Sequence, residues 1–407
     1  MKSKRQKFLN SICVIGGGYV GLPLALLAAE NGQKVALCDN NLKKCAELKQ
    51  GKTNLSEKYD RQLIKYLKNQ SITILHIDEI SNFTHDFRFI FICVPTPIDN
   101  LRNPNLSFIY DAARTAISVA NERTLIVLES STYPGTTRHI ILPLIKEKFQ
   151  KLSDSQILLA YSPERVDPGN KYWSTTNTPR LVSGINQKSK KLITRYYRSL
   201  NVPTITVDSI EIAEAAKMFE NTFRLVNISL VNEFTDVVRK MEIDPLKVLE
   251  AANSKPFGIM HFRPSAGIGG HCIPVDPYYL TWWLANKGER LAIVEAAQGV
   301  NESMPKRIAE RLIKEHRIQI KGSNIVIAGI TYKPGIADVR ETPARGIWNE
   351  LKFRGANLRW WDPLISNWDG LEKYNHGEFR VDIVLIVTSI KLPPHLKIAS
   401  KIIDLSK

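Results

Sequence analysis

The spacing Gly16-x-Gly18-x-x-Gly21 constrains this chain more than any other feature, because of what surrounds it. The apolar run "SICVIG" leads into it and reads as a strand. "LPLALLAAENG" follows and reads as a helix that stops at Gly32. "QKVALCD" is the next strand, ending on Asp39. Each glycine has its own reason. Gly16 permits a tight turn, Gly18 lets backbone approach a pyrophosphate, and Gly21 lets helix and strand pack closely. Tyr19 and Val20 lead into a helix N-terminus that faces the anion. Asp39 stands 18 residues after Gly21, where an acid can hold both ribose hydroxyls and repel a 2′-phosphate. The stretch therefore predicts a dinucleotide-binding unit that takes NAD rather than NADP.

Alternation of strand and helix continues. "FRFIFICVPTP", "TLIVLESSTYPG" and "QILLAYSPERVDPG" read as further buried strands. Ligands of an open parallel sheet sit at the carboxyl ends of its strands. Thr96, Thr132 and Glu164 are therefore expected around one crevice, although turn chemistry alone would account for the two threonines. Residues 209–241 read as one long helix, with apolar residues at Ile212, Ala216, Phe219, Phe223, Val226, Leu230, Phe234, Val237 and Met241. At 1.5 Å per residue it spans about 50 Å, enough to connect two domains. Lys217 and Asn221 are one turn apart and lie off that stripe, so the helix alone predicts a solvated face for them.

From about residue 306 a second strand–loop–helix–strand pattern begins, with "VDIVLIVTS" and "KIIDLS" as further strands. Its loop carries Lys333, Asp338 and Arg340. Two cations beside a strand end suit a phosphate-bearing ligand, or a surface ion pair. The expected fold is α/β, with two Rossmann-like doubly wound domains joined by a long central helix. The expected divisions are 1–205 for the dinucleotide, 206–305 for a helical part with a cysteine loop, and 306–407 for a second nucleotide-binding-like domain.

Other classes are less well supported. No run of about 18 apolar residues exists, so no membrane span is expected. Lys2, Lys4, Arg5 and Lys7 imitate a signal peptide, but "GGGYVG" interrupts the apolar stretch and no export-type cleavage site is evident. The net charge of +16 would suit nucleic acid, an acidic membrane or anionic small molecules. The basic residues are scattered, however, and no zinc-finger or RRM-type motif accompanies them, so no nucleic-acid partner is expected. The five cysteines show no metal or disulfide spacing, which suits a reducing cytoplasm. Cys13, Cys38 and Cys93 sit in strand-like runs and read as small buried hydrophobes. Cys272 differs. It stands in "GIGGHCIPVDPYYLTWW", among glycines and prolines that break core elements, with Asp276 four residues later.

Seven segments together resemble the UDP-glucose/GDP-mannose dehydrogenase family: "VIGGGYVGLPLA", "VPTPIDNLRNPNLS", "LESSTYPGTT", "YSPERVDPGN", "EAAKMFENTFRLVNISLVNE", "GIGGHCIPVDPYYL" and "GITYKPGIADVRETPA". They occur in family order along nearly the whole chain. "KPFGIMHF" and "HCIPVDPYYLTW" look most like the UDP-N-acetylglucosamine 6-dehydrogenase branch, where UDP-glucose members have G-G-S-C-F.

The resemblance implies a four-electron oxidation of a sugar C6 alcohol to a carboxylate, with two NAD reduced. It implies Cys272 as nucleophile, Lys217 and Asn221 as oxyanion stabilisers, and Asp276 as the residue that positions Lys217 and a water. Glu164 matches the acid of the S-P-E motif, beside Arg165, and Thr132 matches a threonine near cofactor and water. Lys333 and Arg340 match residues that hold the UDP moiety and partner contacts, and Gly269 lies in the substrate loop. Relatives associate through the central helix, so a homodimer or larger homo-oligomer is expected. The resemblance thus makes 206–305 the dimerisation domain and 306–407 the UDP-binding domain.

The chain also departs from the family pattern. Pro168 stands where many UDP-glucose members carry a second glutamate, which opens the acid and base roles in hydrolysis. "RPSAGIGG" replaces a P-G-P-G-type loop and brings Arg263 to phosphate or to solvent. "VTSIKLP" replaces a T-D-H. UDP-N-acetylglucosamine is the expected substrate, with UDP-N-acetylmannosamine and UDP-glucose as alternatives. A non-catalytic UDP-sugar or polyanion-binding protein is the reading from a different class.

Overall fold

The computed structural model describes residues 11–53, 55–82, 87–167, 169–170 and 172–406. The signal-like lysines and Pro168 lie outside the described residues. Two compact units divide the chain between Phe219 and Glu220.

Eight strands build the first unit: β1 (Ile12–Ile15), β2 (Val35–Asp39), β3 (Ile72–His76), β4 (Phe89–Ile92), β5 (Leu125–Leu128), β6 (Leu159–Tyr161), β7 (Arg180–Gly184) and β8 (Thr204–Thr206). They lie in the order β3-β2-β1-β4-β5-β6-β7-β8. Neighbours are parallel except β6 and β7, which run antiparallel. Its helices are α1 (Gly21–Glu30), α2 (Leu42–Lys49), α3 (Glu57–Lys68), α4 (Ser107–Val119), α5 (Leu142–Lys148) and α6 (Gln187–Ser199). The central strands are apolar throughout because helices cover both faces. Ile12 and Val14 of β1 enter one core with α1, α3 and α6, while Cys13 and Ile15 enter the other with α4 and α5. Strand order reverses at β1 and β4, which opens a crevice at their carboxyl ends.

The long helix α7 (Ile210–Lys240) has 31 residues, and the division between the units falls within it. Its inward face is not the apolar stripe. Glu214, Lys217, Met218, Asn221, Leu225, Ser229, Asn232 and Thr235 are buried, whereas Ile212, Phe219, Leu230, Phe234 and Val237 are exposed. The solvated face expected for Lys217 and Asn221 is thus corrected. Their face carries the hydrogen-bonding groups that the neighbouring loops use, so it turns inward and most of the oily stripe is left outside, with Ala216, Phe223 and Val226 half-buried.

After α7 the second unit continues through α8 (Pro245–Asn253), α9 (Asp276–Ala285) and α10 (Ala292–Lys314). A parallel sheet follows, with β9 (Asn324–Ala328), α11 (Pro343–Phe353), β10 (Asn357–Trp361), β11 (Ile383–Ile386) and β12 (Lys401–Asp404) in the order β10-β9-β11-β12. Ile325 and Ile327 of β9 pack with α10, α11 and the side chains of Trp348, Trp360 and Trp368. The other face of the sheet buries Val326, Ala328, Val384 and Ile386. Order reverses here between β9 and β11. At that point Gly329 has φ +74°, and a Cβ on it would meet the Thr388 carbonyl at 2.2 Å.

Candidate active site

At the first reversal, the turn after β1 is built for close backbone approach. Gly16 has φ +104°, and a Cβ there would lie 2.4 Å from the Cys93 carbonyl. A Cβ on Gly21 would lie 2.0 Å from the Gly16 carbonyl, so this glycine is needed for packing. Gly18 is different: a Cβ on it would meet only Lys44 Nζ, at 3.9 Å. The middle glycine therefore faces open space at the start of α1, where a pyrophosphate can approach backbone N–H groups. Tyr19 and Val20 are half-buried beside it.

Asp39 ends β2 and is 7% exposed. One oxygen accepts from Gly17 N at 2.9 Å, the other from Asn41 N at 3.1 Å. Lys44 Nζ pairs with it at 2.7 Å. The sequence reading missed Lys44. Its signal is the cap: Asn41 accepts from Lys44 N at 3.0 Å, which opens α2 and turns this lysine back toward the strand end. These groups fit a dinucleotide, with donors for phosphate and an acid for ribose.

Around the same strand ends, Thr96 is half-buried after β4. Thr132 follows β5 and is wholly buried, donating to Thr136 Oγ1 at 2.6 Å. Glu214 of α7 closes this turn. Its carboxylate accepts from Gly135 N at 2.6 Å, Thr137 N at 2.9 Å and Thr137 Oγ1 at 2.6 Å. One turn earlier, Glu211 accepts from Arg138 Nε at 2.6 Å. Glu164 follows β6 and accepts from the amides of Arg165 and Val166 at 2.8 and 3.0 Å. Arg165 donates to the Pro179 carbonyl at 2.8 Å.

The second unit holds the cysteine. Among the five cysteines only Cys272 is not buried. Its carbonyl accepts from Asp276 N at 2.8 Å, so the cysteine stands one turn before α9. Asp276 is 1% exposed and accepts from Asn221 Nδ2 at 2.5 Å. The structure thus brings Asn221 to the acid that the sequence placed four residues after the cysteine. Lys217 is 8% exposed on the preceding turn of α7.

The loop before Cys272 is braced from three elements. Asn232 of α7 accepts from Ser265 N at 2.8 Å, and Asn301 of α10 accepts from Ile268 N at 2.7 Å. Gly269 and Gly270 lie against Tyr332 and Pro343, where Cβ atoms would come within 2.7–3.0 Å. Arg340 is exposed and holds two groups of its own unit: Asp338, with Nη2 at 2.6 Å, and His271 Nδ1 at 3.2 Å. The Arg340 cation holds the Asp338 carboxyl below its usual range against the opposing effect of burial. Lys333 is half-buried in the same loop, whereas Arg263 is exposed. Among the described residues no group of three His, Cys, Asp or Glu could hold a metal, and no helix is long and apolar enough to cross a membrane.

Models of three successive domains of one family match this chain. The NAD binding domain matches residues 10–201, the central domain 211–303 and the UDP binding domain 326–392. The chain belongs to the UDP-glucose/GDP-mannose dehydrogenase family. It is therefore an NAD-dependent oxidoreductase of the UDP-sugar dehydrogenase type, and NAD is its cofactor. It is 36% identical to the UDP-N-acetyl-D-glucosamine 6-dehydrogenase of Salmonella typhi, over 87% of this chain and 82% of that one. It is 32% identical to the UDP-N-acetyl-D-mannosamine dehydrogenase of Methanococcus aeolicus, over 91% and 82%. Among solved structures, UDP-D-ManNAc dehydrogenase from Pyrococcus horikoshii superposes with a TM-score of 0.85 at 27% identity, covering 98% of this chain and 95% of that one. The family's two Rossmann-like domains correspond to the two sheets described above.

Proposed function

We propose that this enzyme oxidises the C6 hydroxyl of a UDP-N-acetylhexosamine, UDP-N-acetylglucosamine first, to the uronic acid through a thioester on Cys272. The observation that carries this reading is the single unburied cysteine, held one turn before Asp276 while Asp276 holds Asn221. Relatives named for the glucosamine and mannosamine sugars match comparably, so UDP-N-acetylmannosamine is the second candidate.

NAD, when bound, supplies the electron-pair acceptor for both oxidations, two NAD per sugar. The Cys272 thiolate adds to the C6 aldehyde and retains it as a thiohemiacetal, whose oxidation leaves a thioester. Water then releases the carboxylate and restores the thiol. Lys217 and Asn221 stabilise negative charge on the C6 oxygen, a fixed cation and amide facing developing charge. Asp276 positions that pair and a water.

Gly16, Gly18 and Gly21 with Asp39 hold the dinucleotide, and Thr96 and Thr132 border it. Lys333 serves the UDP diphosphate, with Gly269, Arg165 and Arg263 along the substrate path. Arg340 joins the UDP loop to the cysteine loop through His271. The three parts at 1–205, 206–305 and 306–407 divide the work into cofactor, dimerisation with nucleophile, and UDP. The exposed stripe of α7 pairs two copies. The uronic acid feeds a surface polysaccharide, made from the cytoplasm.

Replacing Cys272 with serine is the direct test. NADH fluorescence titration should show NAD binding retained, while uronate formation from UDP-N-acetylglucosamine falls by more than about a thousandfold. Undiminished uronate from Cys272→Ser would remove the covalent mechanism.

A further inference from the structure

Glu164 does not stand alone at the end of β6. Its second oxygen, Oε2, pairs with Arg180 Nη2. Arg180 opens β7, and because β7 runs antiparallel to β6 its first residue returns to the carboxyl end of β6. The Arg180 side chain is 3% exposed. Its other nitrogen, Nη1, lies 2.8 Å from Glu129 Oε2 and donates to Tyr197 Oη at 3.0 Å. Tyr197 in turn donates to Glu129 Oε1. The guanidinium sits over the Tyr197 ring at 4.6 Å. Glu129 and Tyr197 are wholly buried. The Arg180 cation and the Glu129 carboxylate are therefore enclosed at the carboxyl ends of β5 and β6, with the partly buried Glu164 beside them at the crevice.

We infer that Arg180 is a positioning residue of the reaction, with Glu129 and Tyr197 as its anchor, and that it fixes the orientation of Glu164 as a hydrogen-bond acceptor. The inference rests on the proposed function and deepens it. A carboxylate has roughly four lone-pair sites. Glu164 has two taken by the Arg165 and Val166 amides and one by Arg180. One site is left, enough to orient a single O–H donor such as a sugar hydroxyl or the hydrolytic water. Charge-assisted pairing makes the Arg180 contact strong, and the fork of the guanidinium lets it hold both carboxylates at once. A lysine can satisfy only one of them. Glu129 and Tyr197 both engage Nη1 of the guanidinium, and Nη2 is turned to Glu164.

Removing Arg180 alone would leave the buried Glu129 and the partly buried Glu164 uncompensated and could unfold the protein. The test therefore uses Arg180→Met combined with Glu129→Gln, beside Glu129→Gln alone and Arg180→Lys. Thermal melting first establishes that each variant is folded. For the folded double variant, kcat with UDP-N-acetylglucosamine or UDP-N-acetylmannosamine should fall by about 30- to 100-fold while NAD affinity stays within about twofold. Arg180→Lys should recover part of the loss, whereas Glu129→Gln alone should cost less than the double variant. A folded double variant with near wild-type kcat and only a lowered melting temperature overturns the inference. If the wild type reduces NAD with neither sugar, the proposed substrate class fails. A crystal structure of the double variant then decides the clamp separately. Glu164 leaving the Arg165 and Val166 amides supports it, and Glu164 unmoved overturns it.

Discussion

Individual residues divide into those fixed by packing and those that face open space. Gly21 and Gly18 make the contrast testable. A Cβ at Gly21 would collide with the Gly16 carbonyl at 2.0 Å, but at Gly18 it would meet only the lysine tip at 3.9 Å. Gly21→Ala should therefore destabilise the fold by about 2 kcal/mol or more. Gly18→Val should leave the melting temperature within a few degrees, yet weaken NAD binding by about tenfold or more. Melting curves paired with NADH titration check both. Similar NAD loss and similar melting in both variants would contradict the assignment. The glycine turn and Asp39 were legible in sequence because local spacing places them, whereas a role for Cys272 came only with the family resemblance. Arg180, Glu129 and Tyr197 were not, since they converge from three separate elements and no motif spacing links them. Lys44 was missed for a smaller reason: a capping turn, not a motif, carries it back to Asp39.

Among the elements, α7 departs furthest from what its sequence pattern implies. Periodicity located the helix and its apolar stripe, but it could not say which face turns inward. The inward face is partly polar because Glu214, Asn221, Ser229 and Asn232 each serve a neighbouring loop or helix. Glu214 also gives the element a pH dependence. Burial raises its carboxyl from an ordinary 4.5 to about 7, although three donors oppose the shift. An acid with a raised folded value binds more protons when folded. Its contribution is present in full below about 4.5 and is lost as pH rises through about 7. Thermal melts should show stability falling by up to about 3 kcal/mol across that window, and Glu214→Gln should flatten the slope. An unchanged slope would place the titration elsewhere. On the outer face, Leu230 and Phe234 are 60% and 43% exposed. Exposed apolar stripes of this length mark association surfaces. Leu230→Glu with Phe234→Glu should convert a dimer to monomer in light scattering without lowering helix content. A wild type that is already monomeric would remove this expectation.

For the whole molecule, both sheets were foreseeable from the alternation of apolar runs, and each carries a glycine turn at its order reversal. Less visible were β3, β7 and β8, short strands without a motif, and the antiparallel β7 that delivers Arg180. Residues far apart in sequence meet only because these strands set where the chain returns. The proposed reaction makes two oxidations at one carbon, with the sugar held on Cys272 between them. Counting NADH against UDP-N-acetylglucosamine consumed tests this most directly, with UDP-N-acetylmannosamine and UDP-glucose run in parallel. About two NADH per sugar are expected, with the uronic acid as sole product and no free aldehyde. One NADH per sugar with aldehyde released, or no NAD reduction by any UDP-sugar, would contradict it.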